Sequence, residues 1–438
     1  MSAETAPRGW FTRLLINRNY ALYWTGISIS NFGDFVFSST LLLWISYQIG
    51  HNQAWGPLAA GVLELCIALP TFLFGPIAGV FVDRWNKRRT MLLMDVLRAA
   101  LILLLLPVSG VIPGRLDPLW QLICIYGDIF LCTLCTLLFS PARATLNRDI
   151  VPDERREQAS SMIYSSNSTF MILAPLLAGI LFFSAGAVWA LIINAGSFLI
   201  SFCCILAVQA PAEAKRSEQA SLFQEFTSGV RYVTGNSTLR CVLVSLFLLM
   251  LGGGITNTLG PFFFEHSLHA APALFPQFEA VGSAGLLLGA LSATWGLRRL
   301  GALRTFQGGL VLMGIFELLF SRSTSLFPAF LLTFLTGICN SFLNTSVSPL
   351  AMRLVPREYL GRVFALIEPG MRLAQLISAP LAGFLISHYL YHLDASFLGL
   401  HFGPYDTLLG VSALLVLVSG LYACFSMRTK KNSVETRH

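Results

Sequence analysis

The sequence predicts an all-α membrane protein of twelve transmembrane helices, arranged as two parallel six-helix repeats. Three observations carry that expectation. The first is composition: hydrophobic residues make up 55 % of the 438-residue chain and charged residues 12 %, and mean hydropathy is +0.68. A soluble domain is about 25 % charged, so a water-soluble enzyme of this size is excluded. About twelve spans of about 20 residues each leave about 15 residues per connecting or terminal segment. No sizeable domain fits outside the bilayer.

The second observation is where the basic residues fall. They gather in alternate connections, with Arg84, Lys87, Arg88 and Arg89 in one, Arg143, Arg148, Arg155 and Arg156 in the next but one, and Arg298, Arg299 and Arg304 later. Only Arg115 and Arg322 fall on the opposite side. Cytoplasmic loops carry the excess of Lys and Arg, which places both termini in the cytoplasm. The net charge of +7 then reflects topology, and no nucleic-acid partner is expected.

The third observation is an internal echo. Val151-Pro152-Asp153-Glu154 after span four returns as Val355-Pro356-Arg357-Glu358 after span ten, and Ala174-Pro175-Leu176-Leu177-Ala178-Gly179 in span five returns as Ala379-Pro380-Leu381-Ala382-Gly383 in span eleven. Two halves of the same orientation are the parallel-repeat plan of a secondary transporter, whose substrate site lies near the midplane between the repeats.

Apolar runs place the first six spans at Tyr20 to Ile49, Pro57 to Val82, Thr90 to Val111, Leu119 to Phe139, Ser161 to Phe183 and Ala187 to Val208. The next six follow at Leu239 to Phe264, Phe278 to Leu297, Ala302 to Phe320, Leu326 to Ser348, Val363 to Tyr389 and Thr407 to Met427. Between the halves, Phe223, Phe226, Val230 and Val233 recur at helical spacing, as in an amphipathic helix on the inner membrane surface or a helical linker on the bundle. The expected domains are therefore 1–209, a linker at 210–238, 239–427 and a cytoplasmic tail at 428–438. The segment before Tyr20 is short, polar and basic, so the first span is expected to act as an uncleaved signal. The nine cysteines lie in or beside apolar runs and read as packing residues. Cys132 and Cys135 form a C-x-x-C without a second pair for zinc.

The most specific motif joins spans two and three: Gly79-Val80-Phe81-Val82-Asp83-Arg84-Trp85-Asn86-Lys87-Arg88-Arg89. It resembles the signature loop of the major facilitator superfamily, Gly-x-x-x-Asp-Arg-x-Gly-Arg-Arg, with Asn86 in place of a glycine. Asparagine tolerates left-handed backbone angles better than most residues. Glycine permits close helix contact, and Asp83 can meet Arg88 and the positive end of a facing helix. The resemblance implies that span eleven is that helix and that the contact latches the inner side shut. Asn17-Arg18-Asn19-Tyr20, Gly33-Asp34, Asp95-x-x-Arg98, Ser140-Pro141-Ala142-Arg143, and Asn194 with Ser197-Phe198 resemble the drug-efflux branch that includes macrolide and siderophore exporters. The antiporter signature of span five, typically Gly-Pro-x-x-Gly-Gly, here begins Ala174-Pro175 and ends Ala178-Gly179.

Charges within spans cost about 2.5 to 3.5 kcal/mol on insertion scales and point to function. Asp34 in span one and Asp128 in span four are candidates for proton coupling or substrate contact, with Glu64 in span two. A carboxylate removed from water takes up a proton more readily, while a nearby cation opposes protonation, so proton and cationic cargo compete for one group. Glu317 is expected to pair with Arg322. Asp95 with Arg98 and Glu368 with Arg372 are spaced to pair on one helix face and join Gly79, Asp83, Arg84, Lys87 and Arg88 as gating candidates. Asn31, Asn167, Asn194, Asn340, Asn344 and Gln375 are candidate polar lining or interhelical bonds.

No Gly-x-x-x-x-Gly-Lys, His-Glu-x-x-His or Gly-x-Ser-x-Gly sequence occurs, and neither catalysis, a cofactor nor a metal is expected. The expected function is export of lipophilic or cationic small molecules, in exchange for protons, by a monomer spanning the cell (inner) membrane. The alternatives are a lysophospholipid or siderophore transporter of the same fold, or a transport-inactive membrane sensor.

Overall fold

The computed structural model describes residues 16–111, 116–209, 231–355, 357–397 and 400–435. Six helices make up the first half: α1 (Arg18–Trp44), α2 (Gly56–Asp83), α3 (Lys87–Leu104), α4 (Pro118–Ile150), α5 (Arg156–Ala185) and α6 (Val188–Ala207). The second half begins with α7 (Ser237–His266). The helical run Phe275–Ser321 follows, broken at Gly301 (φ 78°, ψ 159°) into α8 and α9. That backbone position lies where an L side chain is strained and glycine is not. The last three helices are α10 (Leu326–Leu354), α11 (Arg357–Leu385) and α12 (Pro404–Glu435).

Among the described residues, eleven helical segments are long and apolar enough to cross a bilayer. The more polar α1, 27 residues long, completes the twelve. Several helices outrun the apolar segments that foretold them. Pro141 sits inside α4, which continues to Ile150, so Ser140-Pro141-Ala142-Arg143 does not close the helix. A short antiparallel hairpin before α12, β1 (Ala395–Phe397) with β2 (Leu400–Phe402), has no counterpart in the sequence reading. Of the proposed amphipathic stretch, Phe223, Phe226 and Val230 lie outside the described residues, while Val233 is buried.

The helices form two compact units. One takes the described residues up to Leu41 together with those from Leu73 to 209; the other takes Leu42–Phe72 and the described residues from 231 onward. In the first unit, Tyr20, Met91, Phe139, Ala159 and Ile205 form a buried core. The Asn17-to-Tyr20 motif ties the start of α1 into it. Asn17 donates to Ile150 O at 2.8 Å, Asn19 Nδ2 donates to Gln209 O at 3.0 Å, and the Tyr20 hydroxyl donates to Ala159 O at 2.9 Å.

In the second unit, Leu246, Phe306, Leu310, Leu343 and Val416 are buried together. Ser245 and Ser419 join α7 to α12 by donating to each other's backbone carbonyls at 3.3 and 2.9 Å. The echoed motif of α11 forms a backbone contact with α2. A Cβ on Gly61 would lie 2.6 Å from Ala379 O, and one on Gly383 would lie 2.7 Å from Leu58 Cα.

Asn86 corrects one expectation. Its backbone is extended (φ −67°, ψ 113°) rather than left-handed, and its side chain caps α3 by accepting from Arg89 N at 2.9 Å. Loss of such a cap costs about 1 kcal/mol. Asn86→Ala is therefore expected to lower the thermal midpoint of the detergent-solubilised protein modestly, and Asn86→Ser to restore it.

Four tryptophans with large exposure, Trp85, Trp120, Trp189 and Trp295, stand near helix ends. Trp120 and Trp189 fall in the opening turns of α4 and α6, while Trp85 follows α2 and Trp295 precedes the Gly301 break.

Candidate functional site

A cluster of charge lies among α1, α3 and α6 in the first unit. Gly33 admits the helices to one another, since a Cβ there would collide with the Ser197 and Asn194 side chains. Asp34 follows it on α1, and Asp95 and Arg98 stand three residues apart on α3. Arg98 Nη2 donates to Asp95 Oδ1 at 2.5 Å, while Arg98 Nη1 lies 3.7 Å from Asp34 Oδ2. Asn194 Nδ2 donates to Asp34 Oδ1 at 3.5 Å. The guanidinium lies over two rings, 4.4 Å from the Phe139 centroid and 4.2 Å from that of Phe198. Such contacts strengthen as water is excluded.

Exposure divides these charges. The side chains of Asp95 and Arg98 are 0 and 3 % exposed, and that of Asp34 is 40 % exposed. A buried ion pair is costly to break because one partner is left uncompensated. Asp95 and Arg98 therefore hold one another, and Asp34 is the exposed member of the cluster. Asp128 is buried on α4 and accepts from Cys132 Sγ at 3.8 Å. Asn31 Nδ2 donates to Asn167 Oδ1 at 3.0 Å.

Residues 23–303 and 242–437 match the profile of the Major Facilitator Superfamily. The chain belongs to that superfamily. It is 26 % identical over 375 residues to the MFS-type transporter YfiS of Bacillus subtilis, covering 82 % of this chain and 84 % of that one. To macrolide efflux protein A of Streptococcus pyogenes it is 24 % identical over 371 residues, covering 81 % and 86 %. Among solved structures, a bacterial homologue of the iron transporter ferroportin superposes with a TM-score of 0.73 at 15 % identity, covering 96 % of this chain and 99 % of that one. The protein is thus a multi-pass membrane transporter of the major facilitator type and not an enzyme.

The facilitator's second unit holds a looser polar set. Arg372 is the cation that acts on the Glu64 carboxylate, and its Nη1 donates to Gln375 Oε1 at 3.5 Å. Asn344 donates to Asn340 at 2.8 Å. Glu317 corrects a further expectation. It does not pair with Arg322, and its buried Oε2 has no hydrogen-bond partner among the described residues. Arg322 instead donates to Asp406 O at 3.0 Å and lies over the Phe402 ring, because the hairpin folds back beside the end of α9.

In the signature loop, the side chains of Asp83 and Glu368 lie outside the described residues. Among the described residues, a Cβ on Gly79 would meet nothing within 4 Å. Arg84 is exposed. Arg88 donates to the carbonyls of Ile205, at 3.1 Å, and Leu206, capping the negative end of α6. Lys87 is half-buried at the first turn of α3.

Sequence reasoning missed two features. Glu265 meets His51 at 3.4 Å, a pairing across the chain that no local pattern announces. Glu279, half-buried near the start of α8, was legible as a carboxylate within a span.

Proposed function

We propose that this transporter exports lipophilic or cationic small molecules by alternating access in exchange for protons. It does so as a monomer in the cell (inner) membrane, with both termini cytoplasmic. The observation that carries the reading is Asp34, a carboxylate in the middle of α1 that is open to an incoming group while its neighbouring charges are buried. A proton and a cationic cargo cannot both hold one carboxylate, so binding one expels the other and the two fluxes become linked. The efflux function that macrolide efflux protein A carries in its name supports the outward direction. Gly79, Asp83, Arg84, Lys87 and Arg88, with Glu368 and Arg372, are proposed to govern the gate, and Asp128 and Glu64 to serve as secondary coupling or substrate groups.

The test is made in proteoliposomes with an acid lumen. Ethidium added outside is expected to accumulate while the lumen loses protons. Uptake without proton release would refute antiport, and absence of flux for ethidium and for uncharged lipophilic drugs would refute the cargo class.

A further inference from the structure

The geometry points to Asp95 and Arg98 as an immobile pair whose charge count limits the Asp34 site to one positive charge at a time, with Asp95 a positioning residue acting through Arg98. This selects cargo bearing at most one positive charge, and it rests on the antiport reading above.

Arg98 is fixed on three sides, by Asp95 at 2.5 Å and by the Phe139 and Phe198 rings. It cannot lose its proton, and both it and Asp95 are buried from solvent. In this pair the two charges offset one another. Asp34 meets the same guanidinium only at 3.7 Å, through its other terminal nitrogen, and keeps 40 % of its side chain exposed. The three groups together therefore carry one net negative charge, and it resides on the exposed member. One proton or one monocation neutralises it. A second positive charge would meet Arg98 with no anion left to offset it.

The other groups facing the cluster do not change this count. From α4, Arg143 acts on Asp34, and Asp128 acts on Cys132, which also feels Asp34 and Arg98. Among the described residues no ion pair joins either Arg143 or Asp128 to the cluster. Cys135 on α4 and Asn194 on α6 bring no formal charge.

Substitutions that alter the count while leaving Asp34 in place test the idea. Asp95→Asn removes the arginine's first partner and turns Arg98 wholly toward Asp34, closing the open anion. Ethidium uptake is expected to fall about tenfold, equivalent to one power of ten in affinity, although Asp34 is intact. Asp95→Asn with Arg98→Gln returns the net charge to minus one and is expected to recover most of that loss. A purely structural role for the pair predicts the reverse, because the double variant removes more of the buried cluster. Propidium shares ethidium's ring system but carries two positive charges, and the wild type is expected to carry it at least about tenfold more slowly.

Size-exclusion profiles confirm the folding of each variant. Equal ethidium uptake by wild type and Asp95→Asn, a double variant no better than Asp95→Asn, or propidium carried as fast as ethidium would each overturn the charge count. Ethidium uptake without proton release overturns antiport instead, and that result is read from lumenal pH independently of the propidium ratio.

Discussion

Asp34→Asn is expected to abolish proton-linked dye accumulation while leaving the protein folded. The substitution keeps the volume of the side chain and its contact with Asn194, but removes the open negative charge. Hydrogen bonds and contacts to a charged group contribute about 1.5 to 3 kcal/mol, so ethidium uptake should fall by about tenfold or more. The same variant should no longer release protons on addition of dye. Folding should survive because Arg98 retains Asp95 at 2.5 Å and both aromatic rings, so no buried charge is stranded. Lumenal pH and dye uptake recorded together check both halves. Wild-type behaviour of Asp34→Asn would remove the coupling assignment.

The second large effect is expected at the α2–α11 contact. Gly61→Val places branched carbon where Ala379 O would be 2.6 Å and Pro380 Cα 2.9 Å from the new Cβ. Those atoms are backbone and cannot rotate aside. Overpacking a tight contact costs about 1 to 3 kcal/mol, and the helices must part to relieve it. Transport should be lost in Gly61→Val and again in Gly383→Val, with a lowered thermal midpoint in each. Gly79→Ala provides the contrast, because among the described residues nothing lies within 4 Å of the position its Cβ would take. Its thermal midpoint should not fall. Unfolding curves of the three variants in one detergent decide the matter.

Much of this architecture was open to reading from hydropathy alone, because a span is a long apolar run and the bilayer sets its length. The helix ends were less legible. α4 and α10 stay helical beyond their apolar runs, to Ile150 and Leu354, and hydropathy does not record a backbone that remains helical among polar residues. The hairpin at Ala395–Phe402 is too short for an alternating pattern to stand out. At the candidate site, Asp95 and Arg98 were legible as a pair because three residues bring them to one helix face. Their meeting with Asp34 was not, because it depends on α1 approaching α6 at Gly33. The failure of Glu317 to meet Arg322 has the same origin, since Asp406 and Phe402 reach that arginine from far along the chain.

The tryptophans at the helix ends carry a consequence for the lipid. Indole rings settle at the boundary between headgroups and hydrocarbon, so within the first unit Trp120 and Trp189 are expected at one boundary of the membrane and Trp85 at the other. The separation of those two levels is the hydrocarbon thickness that the first unit is expected to match. A bilayer of shorter or longer acyl chains strains that match, and helices answer by tilting at a cost of fractions of a kcal/mol per Å. Turnover is therefore expected to peak at one acyl-chain length, with quenching by brominated lipids reporting where each ring settles.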